Sequence, residues 1–389
     1  MEKEQVPAAA GIRFLTDFWQ EKYIEEYIRC GGSKIKFVTG RPGSGKSFFL
    51  NQVSAIARQC GYRTADFSAR EIWLNDFKDI YFEILRQCDL MECLQGCSYK
   101  VIAGMGYDYR EIPKELTFVD FLSRENAFDA LTRREIRTQL KEIFLDNPLL
   151  DNNFALACSM LTGSLLGYPM LEEQNKALLL GWLGGDRSAK LVQLRALGLS
   201  PSRITRYNAR HMLRSLAEVV HIGGYAGLFV TVDDLDILTS RSSLEPLHYT
   251  KMKREDTYES IRQLIDDIDS LRHLMFVFAF DRALMDDENC GLKSYQALWM
   301  RIQTEIHGER FNRFADIVDL DAMAAQEYTP KVLAEISESF SRALSSRSVQ
   351  TLSLEQAEAL MKQAGLGNIG IPQLIYNTMT GGADDGLEQ

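Results

Sequence analysis

Hydrophobic residues follow two different spacings along the chain. Apolar positions at helical spacing mark Phe14 to Arg29 and Ser47 to Gln59, whereas strand-like runs occupy Lys34 to Thr39, Gly227 to Asp233 and Arg272 to Phe280. The last two runs are continuous, which is typical of strands that are buried on both faces in a parallel sheet. The pattern predicts an α/β fold with a central parallel sheet.

A glycine-rich segment, GRPGSGKS, joins the first predicted strand to the helix at Ser47 and matches GxxxxGK[ST] at every fixed position. Glycines let the backbone turn tightly so that its N–H groups point at phosphate oxygens, and the helix offers its N-terminal N–H groups to the same anion. We expect Lys46 to contact the β- and γ-phosphates and Ser47 to bind Mg²⁺. The alternative is a plain glycine-rich turn. The predicted nucleotide-binding residues are Gly40, Arg41, Pro42, Gly43, Ser44, Gly45, Lys46 and Ser47.

Helical stretches separate and follow the predicted strands. Residues 70–215 are leucine-rich and helical in period. After a last predicted strand at Asp316 to Leu320 the chain is helical again, and the first helix there is predicted over Ala325 to Leu344. The predicted division is an N-terminal segment and helix packed on the core (1–33), the P-loop half of the core (34–69), a helical insertion (70–215), the second half of the core (216–324), a helical lid (325–380) and a disordered tail (381–389).

Acidic residues end two of the predicted strands. Phosphoryl transfer needs a carboxylate for Mg²⁺ and a group that orients the attacking water. We assign Asp233 to Mg²⁺ and Asp234 to the water; the alternative is an aspartate-rich turn. Asp281 ends the next strand, where a polar group could sense the γ-phosphate or the water, and a surface aspartate is an equal alternative.

Composition limits the other classes of function. The formal net charge of −10 argues against an overall basic footprint for nucleic acid, although a local basic face stays open. Seven scattered cysteines indicate reduced thiols, and Cys88, Cys93 and Cys97 lack a CxxC pair, which favours buried thiols over a metal site. Neither a signal peptide nor a run long enough to span a bilayer is predicted, so we expect a soluble, cytoplasmic protein with no membrane partner.

Two charged clusters accompany the second half of the predicted core. We interpret Lys251, Lys253 and Arg254 as a solvated basic loop, with contact to nucleic acid or protein as the alternative. The aspartates at 266, 267 and 269 are predicted to form a solvated or partner-facing side of a helix over Tyr258 to Leu271.

Several stretches carry a family resemblance. They are Val6-Pro7 followed by Gly11, Trp182-Leu183 followed by Gly184-Gly185, the helix and Gly-Tyr-x-Gly step at Asn208 to Gly227, and YESIRQLIDDID at 258–269. The chain is similar to AAA+-type ATPases in the order of its P-loop, helical insertion, aspartate-ended strand, acidic helix, sensor-like strand, arginine segment and helical lid. More closely, it resembles the ATP-binding protein of BREX phage-defence systems, the BrxD type.

The resemblance implies an AAA+-type core with ATP and Mg²⁺ as ligands. The segment GERFNRF at 308–314 looks like the arginine-containing segment of such cores, where Arg310 or Arg313 would stabilise the transition state in a neighbouring subunit. It also implies a homo- or hetero-oligomer that acts with a helicase, nuclease or methylation module on foreign DNA. For Arg310 and Arg313, the alternative is that they are surface arginines in a turn.

Three departures from the family pattern bear on hydrolysis. Asp234 stands where the family carries glutamate, Phe280-Asp281 where it carries a small residue and threonine, and Gln373 where a sensor arginine is expected. We therefore expect hydrolysis that is slow or depends on a partner. The alternatives are a DNA-binding regulator or loader of transposition or replication, a non-hydrolysing nucleotide-bound scaffold, and a STAND-like switch, which would need sensor repeats that do not follow the lid.

Overall fold

The computed structural model describes residues 11–242, 244–303, 311–344, 350–364 and 367–380. Within these ranges one parallel sheet forms the centre of the molecule, in the order β2-β3-β4-β1-β5. Gly40 pairs with Asp281, and Ser68 pairs with Asp233, so the carboxyl ends of four strands meet at one edge. The strands are β1 (Ser33–Gly40), β2 (Arg63–Ser68), β3 (Leu228–Asp233), β4 (Leu274–Asp281) and β5 (Ile317–Asp319).

The sheet separates two hydrophobic cores. Alternate strand residues point to opposite faces, so Phe37 and Phe278 enter one core while Val38 and Val277 enter the other. Phe37 and Phe278 are stacked, with ring centroids 5.6 Å apart. Burial on both faces explains the continuous apolar runs in the sequence, and the predicted α/β fold with a parallel sheet is confirmed.

Helices cover both faces of the sheet. In chain order they are α1 (Arg13–Trp19, continued by π-helical turns over Gln20–Ile28), α2 (Lys46–Gln59), α3 (Phe77–Cys88), α4 (Leu90–Gly104), α5 (Phe118–Arg124), α6 (Ala130–Leu140, continued by π-helical turns over Lys141–Leu145), α7 (Asn152–Leu166), α8 (Glu173–Leu183), α9 (Leu191–Ala196), α10 (Ala209–Ile222), α11 (Lys251–Asp266), α12 (Arg282–Asp286), α13 (Gln296–Ile302), α14 (Leu320–Glu327), α15 (Pro330–Ala343), α16 (Leu354–Ala364) and α17 (Ile371–Met379). Short 3₁₀ turns lie at Tyr109–Glu111, Leu235–Thr239, Ile268–Ser270 and Leu292–Ser294.

The helices between β2 and β3 and the C-terminal helices lie on opposite faces of the sheet. Apolar residues of α3, α4, α7 and α10 join the core on the Phe37 face, and aspartate side chains cap the N-termini of three of these helices: Asp76, Asp89 and Asp151. On the other face α1, α2 and the C-terminal helices share one core, in which the Trp19 and Phe49 rings meet edge to face at 5.0 Å.

Two local predictions are wrong. Lys251, Lys253 and Arg254 do not form a loop; they open α11, whose N-terminus is capped by the Thr250 hydroxyl. Charged residues dominate the first turns of α11 and mask the helical spacing of its apolar residues. The predicted start of this helix, at Tyr258, is therefore too late. The single helix predicted from Ala325 to Leu344 is two helices, because Pro330 at the start of α15 cannot donate the backbone hydrogen bond that would continue α14.

The three clustered cysteines lie in the insertion core. Cys88, Cys93 and Cys97 are buried free thiols, as predicted.

Across the described ranges, no helix has both the length and the apolar character needed to cross a bilayer.

Candidate functional site

The P-loop lies at the carboxyl edge of the sheet, between β1 and α2. Gly43 and Gly45 have φ values of +72° and +92°, which L side chains rarely adopt. Gly45 precedes α2, and no side chain of the described residues caps this N-terminus. The free N–H groups of the first turn therefore point to where the loop would hold a phosphate.

The buried hydroxyl of Ser44 indicates whether the loop fits an anion. Its side chain is only 5% exposed, and its Oγ has no hydrogen-bond partner among the described residues. A Cβ at Gly40 would lie 2.4 Å from that Oγ, so only glycine fits beneath it. A buried hydroxyl without a partner beside free helix N–H groups matches the donor set of a phosphate cradle.

Lys46 contacts the loop and the neighbouring strand. Its Nζ donates to the Gly40 and Arg41 carbonyl oxygens at 3.3 and 3.1 Å and forms a short ion pair with Asp281. The pair is largely enclosed, with exposed side-chain fractions of 10% for Lys46 and 28% for Asp281. The parallel register brings the strand-end aspartate to the P-loop lysine.

Ser47 and Asp233 meet across the end of the sheet. The Ser47 hydroxyl lies close enough to the Asp233 carboxylate to favour its charged form. Burial raises the pKa of Asp233, and the contact with Ser47 partly opposes that rise. Mg²⁺ is bound by oxygen ligands together with water and phosphate oxygens, so one hydroxyl beside one carboxylate fits such an ion.

Asp234 is turned toward the end of β2. It has a left-handed backbone (φ +57°), and its N–H donates to Asp233 Oδ1 at 2.8 Å. Its carboxylate accepts from Ser68 Oγ at 2.6 Å and lies 3.5 Å from Arg70 Nε. One oxygen of the predicted water-orienting group thus accepts a hydrogen bond from a hydroxyl, and the other lies within ion-pair distance of a guanidinium.

Arg70 and Asp236 extend this polar cluster, and neither was predicted as a site residue. Arg70 contacts both carboxylate oxygens of Glu245 at 2.6 Å and lies 3.5 Å from Asp236. Asp236 Oδ1 accepts from the Asp281 N–H at 3.2 Å. Burial, and then the negative charge of Asp281, raises the pKa of Asp236. Asp236 stood in the aspartate-rich run after β3, but nothing in the sequence indicated Arg70.

The start of α17 contacts the P-loop. The Gly370 and Gln373 N–H groups donate to the Pro42 and Gly43 carbonyl oxygens at 2.8 and 3.2 Å. A Cβ at Gly370 would lie 2.3 Å from Ser44 Cα. Gln373, which replaces the expected sensor arginine, therefore contacts the loop through its backbone, and its amide nitrogen donates to Asn377.

Arg41 ties the loop to two further elements. Its backbone N–H donates to Asp321 Oδ2 at 2.6 Å, and its guanidinium Nε lies 3.2 Å from Asp321 Oδ1. Its Nη1 also donates to the Gly367 carbonyl oxygen at 2.5 Å. The P-loop is thus held between α14 and the start of α17.

The predicted arginine segment is only partly described. Arg310 lies outside the described residues. The Arg313 guanidinium lies 4.5 Å from the centre of the Phe18 ring, so its described contacts are with aromatic rings and not with the P-loop. The buried Lys36 donates to the Phe314 and Ala315 carbonyl oxygens at 2.7 Å and so holds the end of this segment against β1.

Comparison with known families identifies the chain. Residues 22–371 match the family described as BREX system ATP-binding protein BrxC/D. The chain belongs to this family. Membership makes it a nucleotide-binding subunit of a phage-defence system, and this agrees with the P-loop geometry. No curated protein and no solved structure shows significant similarity to the chain.

Proposed function

We propose that this BrxC/D family member binds Mg·ATP at the P-loop and hydrolyses it conditionally, as a subunit of a defence complex that acts on foreign DNA. One observation carries the proposal. Lys46 of the P-loop pairs with Asp281 and Ser47 lies beside Asp233, so that these groups meet at one edge of the sheet.

The P-loop residues have separate roles in nucleotide binding. Lys46 exchanges Asp281 for the β- and γ-phosphates, and Ser47 and Asp233 supply oxygen ligands for Mg²⁺. Bound there, Mg²⁺ would neutralise negative charge on the phosphates. The Ser44 hydroxyl, which has no described partner, donates to a phosphate oxygen.

Hydrolysis needs Asp234 to change partners. A carboxylate engaged by Ser68 and Arg70 is not free to orient a water molecule, so the site as described favours binding over turnover. Release of Asp234 is the conditional step. A neighbouring subunit supplies Arg310 or Arg313 to the transition state, and the oligomer is thereby required for turnover.

The lid links nucleotide to assembly. Because Gly370 and Gln373 bond directly to the P-loop backbone, any shift of the loop on phosphate binding moves α17. We propose that this motion changes how the subunit contacts a helicase, nuclease or methylation partner. The second candidate function is an ATP-dependent regulator or loader that binds DNA without a protein partner.

A non-hydrolysing scaffold is the other candidate, and the contacts of Asp234 with Ser68 and Arg70 favour it.

Steady-state ATP hydrolysis, measured across protein concentration with and without DNA, distinguishes the oligomeric ATPase from the scaffold. Turnover that rises faster than linearly with protein and is lost in Lys46→Ala and Arg310→Ala supports the oligomeric ATPase. Tight ATP binding with no turnover under these conditions, and none in Asp234→Glu, would leave only the scaffold.

A further inference from the structure

Two segments of this acidic protein combine seven basic residues with no acidic one: residues 27–65, which include the P-loop, and a second segment outside the nucleotide site. Residues 187–214, here termed the basic tip, carry seven of the 44 lysines and arginines and none of the 54 aspartates and glutamates. The basic tip includes α9 and the first turns of α10, at the C-terminal end of the predicted insertion. The nucleotide site uses none of its residues.

The cations of the basic tip differ in whether they are paired. Arg187, Lys190 and Arg195 are exposed, and no carboxylate of the described residues pairs with them. Arg206 is also exposed and lies over the ring of Tyr207, 5.2 Å from its centre. Other cations of the basic tip form ion pairs within the protein and are not part of the exposed group. Arg210, for example, pairs with Asp267 at 2.7 Å.

The basic tip is a folded surface and not a loose loop. The Trp182 indole donates to the Ser202 carbonyl oxygen at 3.0 Å, and Leu194 and Leu199 are buried. Arg203 donates to the backbone carbonyl oxygens of Asp186 and Arg187 at 3.3 and 3.2 Å. Exposed charges on a fixed backbone keep their spacing and lose little conformational entropy when they bind a polyanion.

Nearby carboxylates do not cancel this charge. Asp186 borders the basic tip, and both its oxygens accept from Ser188, at 2.7 Å each. Asp256 and Asp76 act on Arg206 only through weak electrostatic attraction. Tyr207 is 75% exposed, which is unusual for an aromatic side chain and leaves one ring face free.

We propose that the basic tip is a nucleic-acid contact surface. Arg187, Lys190, Arg195 and Arg206 bind backbone phosphates, and Tyr207 stacks on an exposed base. The inference rests on the proposed action on DNA and adds the surface that makes the contact. It also explains how a chain with net charge −10 could bind DNA: the contact is local. A membrane is a poorer fit, because such a surface needs an apolar face and large exposed apolar side chains here are few.

The test compares two variants with the same net charge. In the first, the four exposed cations of the basic tip become glutamine. The matched control neutralises four exposed cations elsewhere that have no described ion pair: Lys114, Arg124, Arg134 and Lys331. Binding to a fluorescein-labelled duplex of about 30 base pairs and to its single strand is measured by anisotropy between about 50 and 200 mM salt.

We expect the tip variant to bind duplex at least tenfold more weakly than the control. Its salt slope should fall by about 0.9 for each phosphate contact that is lost. Tyr207→Ala should weaken single-strand binding by about tenfold and duplex binding less. Equal affinities of the tip variant and the control would overturn the proposal, as would binding to phosphatidylserine vesicles without binding to DNA. ATP binding is measured in parallel, so a failed DNA test leaves the nucleotide site standing.

Discussion

The ion pair between Lys46 and Asp281 leads to a prediction that can be worked through in numbers. Lys46 has to reach phosphate oxygens when ATP binds, yet in the structure it is paired with Asp281. We therefore expect Asp281→Asn, which keeps the shape and removes the charge, to tighten ATP binding. It should also slow hydrolysis if Asp281 helps to position the attacking water.

The exposed side-chain fractions set the size of the effect. With 10% and 28% exposed, this pair lies between surface pairs, worth about 0–1 kcal/mol, and fully buried ones, whose disruption costs about 3–5 kcal/mol. Asparagine can still accept a hydrogen bond from Lys46, so we take about 1 kcal/mol. That corresponds to about fivefold tighter ATP binding. The ATP-free protein should lose a similar amount of stability.

Calorimetric titration with ATP and Mg²⁺, and thermal unfolding without them, measure the two effects. Asp286→Asn is the matched control: it makes the same charge change in an aspartate that is 58% exposed and 3.8 Å from Arg282. The control should change ATP affinity less than twofold. If Asp281→Asn weakens ATP binding instead, the aspartate assists the nucleotide and the reasoning is refuted.

Three further predictions concern the lid, the water-orienting group and the buried lysine. Gly370→Ala should weaken ATP binding by about tenfold, because its Cβ would lie 2.3 Å from Ser44 Cα, whereas Gly367→Ala, with no heavy atom within 4 Å of the added Cβ, should bind normally; equal affinities would argue against the lid contact. Ser68→Ala should raise ATP turnover by about tenfold because it frees Asp234, and unchanged turnover would mean that the Ser68 contact does not restrain it. Burial lowers the pKa of Lys36 to about 7. The unfolded chain then binds more protons than the folded one between pH 7 and the ordinary lysine pKa of 10.5, so stability should rise with pH across that window. Lys36→Met should remove this rise in urea unfolding, and a rise that persists would assign it to another group.

The parts of the site that follow from local chemistry could be predicted from the sequence. A phosphate loop must be glycine-rich, follow a strand and open a helix, and GRPGSGKS does all three. Asp233 and Asp281 were placed correctly at strand ends, and the ends of parallel strands meet at one edge of a sheet. Their roles in catalysis stay predictions.

Contacts between distant segments could not be predicted. Ser68 is 166 residues from Asp234, and neither the serine nor its neighbour Arg70 belongs to a motif. The lid contact joins Gly370 to Pro42, and only packing against the second core brings them together. Lys36 even contradicts the apolar pattern of its strand, since it is a fully buried amine that donates to two carbonyl oxygens.

The central claim is that the P-loop binds Mg·ATP, and equilibrium binding of a fluorescent ATP analogue tests it most directly. Wild type is compared with Lys46→Ala, Ser47→Ala and the distant control Lys114→Ala, each with and without Mg²⁺. The account predicts micromolar binding that Lys46→Ala abolishes, that Ser47→Ala makes independent of Mg²⁺, and that the control leaves unchanged. Undiminished binding by Lys46→Ala would contradict it, because the nucleotide would then lie elsewhere.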